Sequence, residues 1–164
     1  MLFRSPNEEV KYAFLESFIP EYVPAATAGN GLDIFTLDEY IENGNLDGVK
    51  QILTALFASI PYTSSDVPFE HYFQTVIYLV FTLLGRFVLC EMHTFSGRID
   101  CKVETERFSY LLEFKRDESA EKALRQINDK NYTLPFVADN RTLYKIGVSI
   151  DSEKRILADW KVEE

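Results

Sequence analysis

Residues 90–132, CEMHTFSGRIDCKVETERFSYLLEFKRDESAEKALRQINDKNY, read as three short strands followed by a helix, and that order decides the fold. Residues 98–103 alternate, with Arg98, Asp100 and Lys102 expected on one face and Ile99, Cys101 and Val103 on the other. Residues 110–115 do the same, setting Tyr110, Leu112 and Phe114 against Leu111, Glu113 and Lys115. A period of two marks half-buried strands. The polar pair Glu106-Arg107 lies midway, so a hairpin turning there sets Asp100 opposite Glu113 on a shared face. The preceding strand, residues 86–94, folds back at Phe95-Ser96, which sets Glu91 opposite Asp100 and Cys90 opposite Cys101.

Three carboxylates and the Lys115 ammonium are thereby expected to crowd one patch. Like charges so close are unfavourable unless a cation sits among them. Carboxylate oxygens with water suit Mg²⁺ or Mn²⁺. Such an ion polarises a phosphodiester and activates a water, and a lysine two residues from a ligand stabilises the charge that develops.

Asp100 followed by Glu113-Phe114-Lys115 resembles the PD-(D/E)XK nuclease superfamily. The wider run, Gly97-Arg98-Ile99-Asp100, Glu113-Phe114-Lys115 and Ala123-Leu124-Arg125-Gln126-Ile127, is similar to a bacterial family in which such a domain follows an AAA-ATPase-like domain. The resemblance implies a Mg²⁺- or Mn²⁺-dependent nuclease acting on DNA, with Asp100, Glu113 and Lys115 catalytic and Asp100, Glu113 and Glu91 at the metal. It also implies that Gln126 and Tyr132 belong to the motif set, touching substrate or orienting the ligands. A plain alternative for Gln126 is a bond to backbone. A first-helix glutamate often approaches the metal in these enzymes, and Glu70 is the matching position; a solvent-facing first-turn acid is the other reading of it. The motif alone is common: acid-x-Lys also occurs at Glu9-Val10-Lys11, Asp100-Cys101-Lys102 and Asp159-Trp160-Lys161. Only Asp100 with Glu113 has the strand–turn–strand–helix setting.

Around this stretch the chain reads in order. Residues 6–18 form a helix that Pro20 stops, and residues 21–35 a loop. Thr36 caps a short helix through Ile41, Asn43-Gly44-Asn45 breaks it, and residues 46–60 form a third helix with Val49, Ile52, Leu53, Leu56 and Phe57 in one stripe. Residues 69–84 form the longest helix, apolar on most sides. After Lys115, Ser119 caps a helix through Asn131 whose buried stripe is Ala120, Ala123, Leu124 and Ile127. Residues 142–151 and 155–162 are two further strands. The expected class is α/β with a mixed sheet: an αβββαβ core plus one strand at 67–164, preceded by a helical accessory segment at 1–66.

At 164 residues, 46% hydrophobic and 26% charged, the chain has the composition of a globular domain. The net charge of −9 opposes nucleic-acid binding at first sight. It is uneven: residues 1–66 carry three basic against ten acidic side chains, leaving the rest near neutral. The chain opens without a signal-peptide pattern and its longest apolar run is too short to span a bilayer, so a cytoplasmic protein with no membrane partner is expected. Cys90 and Cys101 are expected as buried thiols. There is no GxxxxGK[ST] loop, so the chain is not itself a P-loop ATPase; the resemblance implies that it is the C-terminal piece of a longer protein that also carries an AAA-ATPase-like domain. A catalytically inactive module on the same fold, making nucleic-acid or protein contacts, remains the alternative, and a plain surface cluster on an unrelated α/β domain is a third.

Overall fold

The structure, a computed structural model, describes residues 34–59, 76–82, 84, 86–154 and 156–164. The helix expected at 6–18, the linker at 60–67, and Glu70 and His71 lie outside the described residues. Two helices open the described part, α1 (Ile34–Asn43) and α2 (Leu46–Ser59). Thr36 sits inside α1 and does not cap it, because burial of Leu37 and Ile41 holds this segment helical from Ile34 onward. Gly44 ends α1 with φ +70°, a conformation that favours glycine, and Asn45 caps the next helix by accepting from Gly48 N at 3.1 Å.

Beyond a helical stretch over residues 76–82 comes the sheet. Its strands are β1 (Phe87–Thr94), β2 (Gly97–Glu104), β3 (Phe108–Arg116), β4 (Thr142–Asp151) and β5 (Ile156–Glu163), lying side by side in chain order. Three neighbouring pairs are antiparallel; β3 and β4 are parallel. A parallel pair needs a crossover, and α3 (Ala120–Asp129) supplies it, with Ser119 accepting from Lys122 N at 3.2 Å as the expected N-cap. A short 3-10 turn at Leu134–Phe136, absent from the sequence reading, leads into β4. The mixed α/β class and the αβββαβ order with one added strand are as expected.

One face of the sheet holds the main core. Cys101, Val103, Tyr110, Leu112, Phe114, Ile146 and Val148 pack in a single cluster with Leu37 and Ile41 of α1, Val49, Leu53, Leu56 and Phe57 of α2, and Ile77 and Phe81. Polar ties back this up: Tyr110 Oη donates to Ile41 O at 2.6 Å, and Arg86 ion-pairs with Asp38 and Glu42 of α1. The opposite face is covered by α3 through a smaller cluster of Ile99, Leu111, Ile127 and Tyr132.

Ile99 corrects the simple alternation. It packs with Leu111 on the α3 side, while Cys101 and Val103 two and four residues on belong to the main core. Its partner Met92 shares the switch, since Cys90 packs against the main core and Met92 against the smaller cluster. Between Cys90 and Met92 stands Glu91 with φ +52°, a left-handed backbone that breaks the pleat without shifting the register. Both strands change faces at that point, and Asp100 lies at the change.

Candidate active site

The β2–β3 ladder runs from Glu104↔Ser109 to Cys101↔Leu112. One more step of that register sets Asp100 across from Glu113. The backbone ladder stops there, and the Asp100 side chain takes over: its Oδ2 accepts from Phe114 N at 2.9 Å. The strands therefore part around a carboxylate. Asp100 is buried at 7% exposure, so its charge sits largely out of water.

Glu113 is buried more deeply, at 1% exposure. Its Oε1 accepts from Gln126 Nε2 and lies 3.4 Å from Lys115 Nζ. Among the described residues its Oε2 has no hydrogen-bond partner. Burial, and then the Asp100 charge, push the Glu113 carboxyl up to about 7, against the pull of Lys115 downward. A buried carboxylate with an orphaned oxygen beside a second acid is costly for a purely structural role. Oxygen donors of this kind fit a hard divalent cation, which would satisfy the orphan and relieve the repulsion. Lys115 keeps a side chain 21% exposed and so faces both the pair and solvent.

Gln126 reaches Glu113 because α3 lies close on the sheet. Gly147 of β4 pairs with Glu113, and a Cβ at Gly147 would collide with the Ala120 carbonyl and crowd Leu124 N. The missing side chain lets the helix descend onto the strand, where Gln126 meets its partner. A glycine inside the alternating run Ile146–Val148 was the signal for this, since it often marks close backbone approach. Tyr132 is 2% exposed beneath the β1–β2 turn, and a Cβ on Gly97 would meet its Oη at 2.7 Å. Ser96 Oγ adds a hydrogen bond to Lys130 O, so this turn is tied to the end of α3.

Other expected groups are placed differently. Glu91 holds the register position across from Asp100, yet its carboxylate is 44% exposed and pairs with Arg98 at 3.2 Å. Among the described residues no three His, Cys, Asp or Glu side chains converge as a metal site, so the acidic patch is a pair and not a nest. The left-handed turn at Glu91 is the physical reason. His93 is exposed on the same edge strand. The sequence reading gave Lys102 no role; it is buried, pairs with Glu104 and lies 3.8 Å over the Phe136 ring. Arg141 joins the same Glu104 at 2.8 Å, and nothing in the local alternation signals that partner from beyond α3.

A five-stranded mixed sheet with a crossover helix is a fold of the nuclease type, and an acid pair with a lysine lies where two of its strands part. The chain belongs to the PD-(D/E)XK nuclease superfamily, whose family model matches residues 68–160, more than half its length. It is also 32% identical over 171 aligned residues to a protein of Azotobacter chroococcum mcd 1 named "Uncharacterized protein in vnfD 5'region". That match takes in 98% of this chain and 32% of the relative, so the chain spans about a third of the relative's length. Among the described residues, no helix is long and apolar enough to cross a membrane.

Proposed function

We propose that this chain is a metal-dependent nuclease domain that hydrolyses phosphodiester bonds in DNA. The observation that carries the reading is the buried, unpartnered Glu113 Oε2 next to Asp100, with Lys115 within reach. Asp100 and Glu113 are the side chains that would hold Mg²⁺ or Mn²⁺. Such an ion, when bound, polarises the phosphoryl oxygen and makes a bound water more acidic. Phe114 N holds Asp100 and Gln126 Nε2 holds Glu113 through its Oε1, leaving Glu113 Oε2 to serve as a ligand. Lys115 orients the attacking water and stabilises negative charge on the phosphoryl oxygens as it grows. Glu91 takes part only by leaving Arg98, which gives it an outer role. Glu70 keeps its place as an accessory acid on the resemblance alone, and Tyr132 acts through packing below the turn.

In this reading residues 67–164 are the nuclease-like domain and 1–66 an accessory segment whose α1 and α2 cover the far face of the sheet. The protein is cytoplasmic in this reading, and an AAA-ATPase-like domain on a longer chain fits the extra length of the relative. Nicking of supercoiled plasmid with Mg²⁺ or Mn²⁺, run beside Asp100→Ala, tests the proposal; equal cleavage by both proteins removes the assignment. A second reading, an inactive module on the same fold, is favoured by the Glu91–Arg98 pair, which leaves two carboxylates at the site. Calorimetric titration with MnCl₂ separates them: the nuclease binds the ion and loses it in Asp100→Ala, the module binds none.

A further inference from the structure

Cys90 and Cys101 face each other across the β1–β2 ladder with their sulfurs 3.7 Å apart. Directly opposed residues of an antiparallel pair have Cα atoms about 4.5–5.5 Å apart, inside the span a disulfide bridges. The two thiols differ in access: Cys90 is half-buried, Cys101 fully buried. Neither is used by the proposed chemistry, yet Cys101 is the next residue after Asp100. We propose that Cys90 and Cys101 form a redox-active dithiol that closes to an intrachain disulfide on exchange with a low-molecular-weight disulfide, tying β1 to β2 one residue from Asp100.

The exchange balances in two steps. The Cys90 sulfur attacks one sulfur of the small disulfide RS–SR, forming Cys90–S–SR and releasing one RSH, which carries off the thiol proton. The Cys101 sulfur then attacks Cys90 Sγ, forming the Cys90–Cys101 bond and releasing the second RSH. Two protein thiols are oxidised and one small disulfide is reduced. Closure draws the sulfurs from 3.7 Å to a bond of about 2.05 Å, a movement shared between the two side chains and the β1–β2 backbone one residue from Asp100. The Asp100–Phe114 hydrogen bond stands next to that movement.

Incubating the full chain with glutathione disulfide near pH 8, followed by acid quench and intact mass, tests the dithiol. The wild type is expected to lose two hydrogens as a monomer, and peptide mapping of it to find residues 90 and 101 joined. Cys101→Ala stops with one glutathionyl group on Cys90, and Cys90→Ala stays unmodified. A wild type that keeps both thiols, or joins two chains, overturns the proposal; the mapping needs no variant to fold. Coupling to Asp100 is read from hydrogen exchange at the Phe114 amide, expected to be about tenfold faster after oxidation and restored by dithiothreitol; an unchanged rate overturns it. The accompanying loss of DNA cleavage, at least about tenfold, rests on the nuclease reading. If the reduced protein cuts no DNA, that reading falls while mass and exchange still decide the dithiol.

Discussion

The two faces of the sheet bury their side chains in different company. Toward α1, α2, residues 76–82 and Leu84, the strands present Val103, Tyr110, Leu112, Phe114 and Val148 to a continuous apolar cluster, and the charges nearby are paired, as Arg86 is with Asp38 and Glu42. Toward α3, four apolar residues flank a buried acid whose second oxygen has no partner among the described residues, beside another buried acid. Hydrophobic burial accounts for the first face. The second costs stability as it stands, and such a cost persists where a ligand recovers it. The lesson is that the unfavourable face, not the well-packed one, points to the chemistry.

That contrast breaks first at Glu113. Glu113→Gln is expected to lower metal-dependent cleavage by about a thousandfold while leaving the metal-free protein as stable or more so, read by plasmid nicking and by urea denaturation. A large loss of stability would mean that the carboxylate is structural. On the opposite face, Leu53→Ala removes a fully buried side chain of α2 and is expected to cost about 3 kcal/mol, with Mn²⁺ affinity unchanged. Urea melts and calorimetry read both halves of that expectation.

The acid pair also sets a pH dependence opposite to the usual one for carboxylates. Glu113 is raised from 4.5 to about 7, so the folded protein holds this proton more tightly than the unfolded chain. Its contribution to stability is full below the unfolded value and is lost as pH rises through about 7, a change of order 3 kcal/mol in the metal-free protein. Denaturation midpoints between pH 4 and 8 should therefore fall with pH for the wild type and flatten in Glu113→Gln. Metal binding should move the other way, strengthening as pH rises through about 7, because the ligand must lose its proton. Smallest of all, Gln126→Ala removes one hydrogen bond to Glu113 Oε1 and is expected to cost about 1 kcal/mol. Its cleavage rate should fall more than its stability does, if Gln126 holds the carboxylate in place; equal small effects would make it a packing residue.

Much of this arrangement was legible from local pattern. Alternation at residues 98–103 and 110–115 and the polar Glu106-Arg107 midpoint yield a register in which the ladder carries Asp100 to Glu113, and Ser119 announces the helix that follows. Less was legible where distant segments meet. Thr36 looked like a cap, because the burial of Leu37 and Ile41 against the sheet is invisible to a local window. Glu91 looked like a third ligand, because strict pleating ignores the left-handed turn that sends it to Arg98.

The amino-acid sequence by itself determined the order of elements, a mixed sheet, and the shared neighbourhood of Asp100, Glu113 and Lys115, since side-chain period and turn chemistry are local properties of the chain. Only the tertiary structure decided that Asp100 would bond to the Phe114 backbone at a strand parting, that α3 would come down onto Gly147, and that Glu113 would be left with one oxygen unanswered. Those outcomes depend on how closely elements far apart in the chain pack and on how much water they exclude. Neither quantity is written in any single stretch of residues.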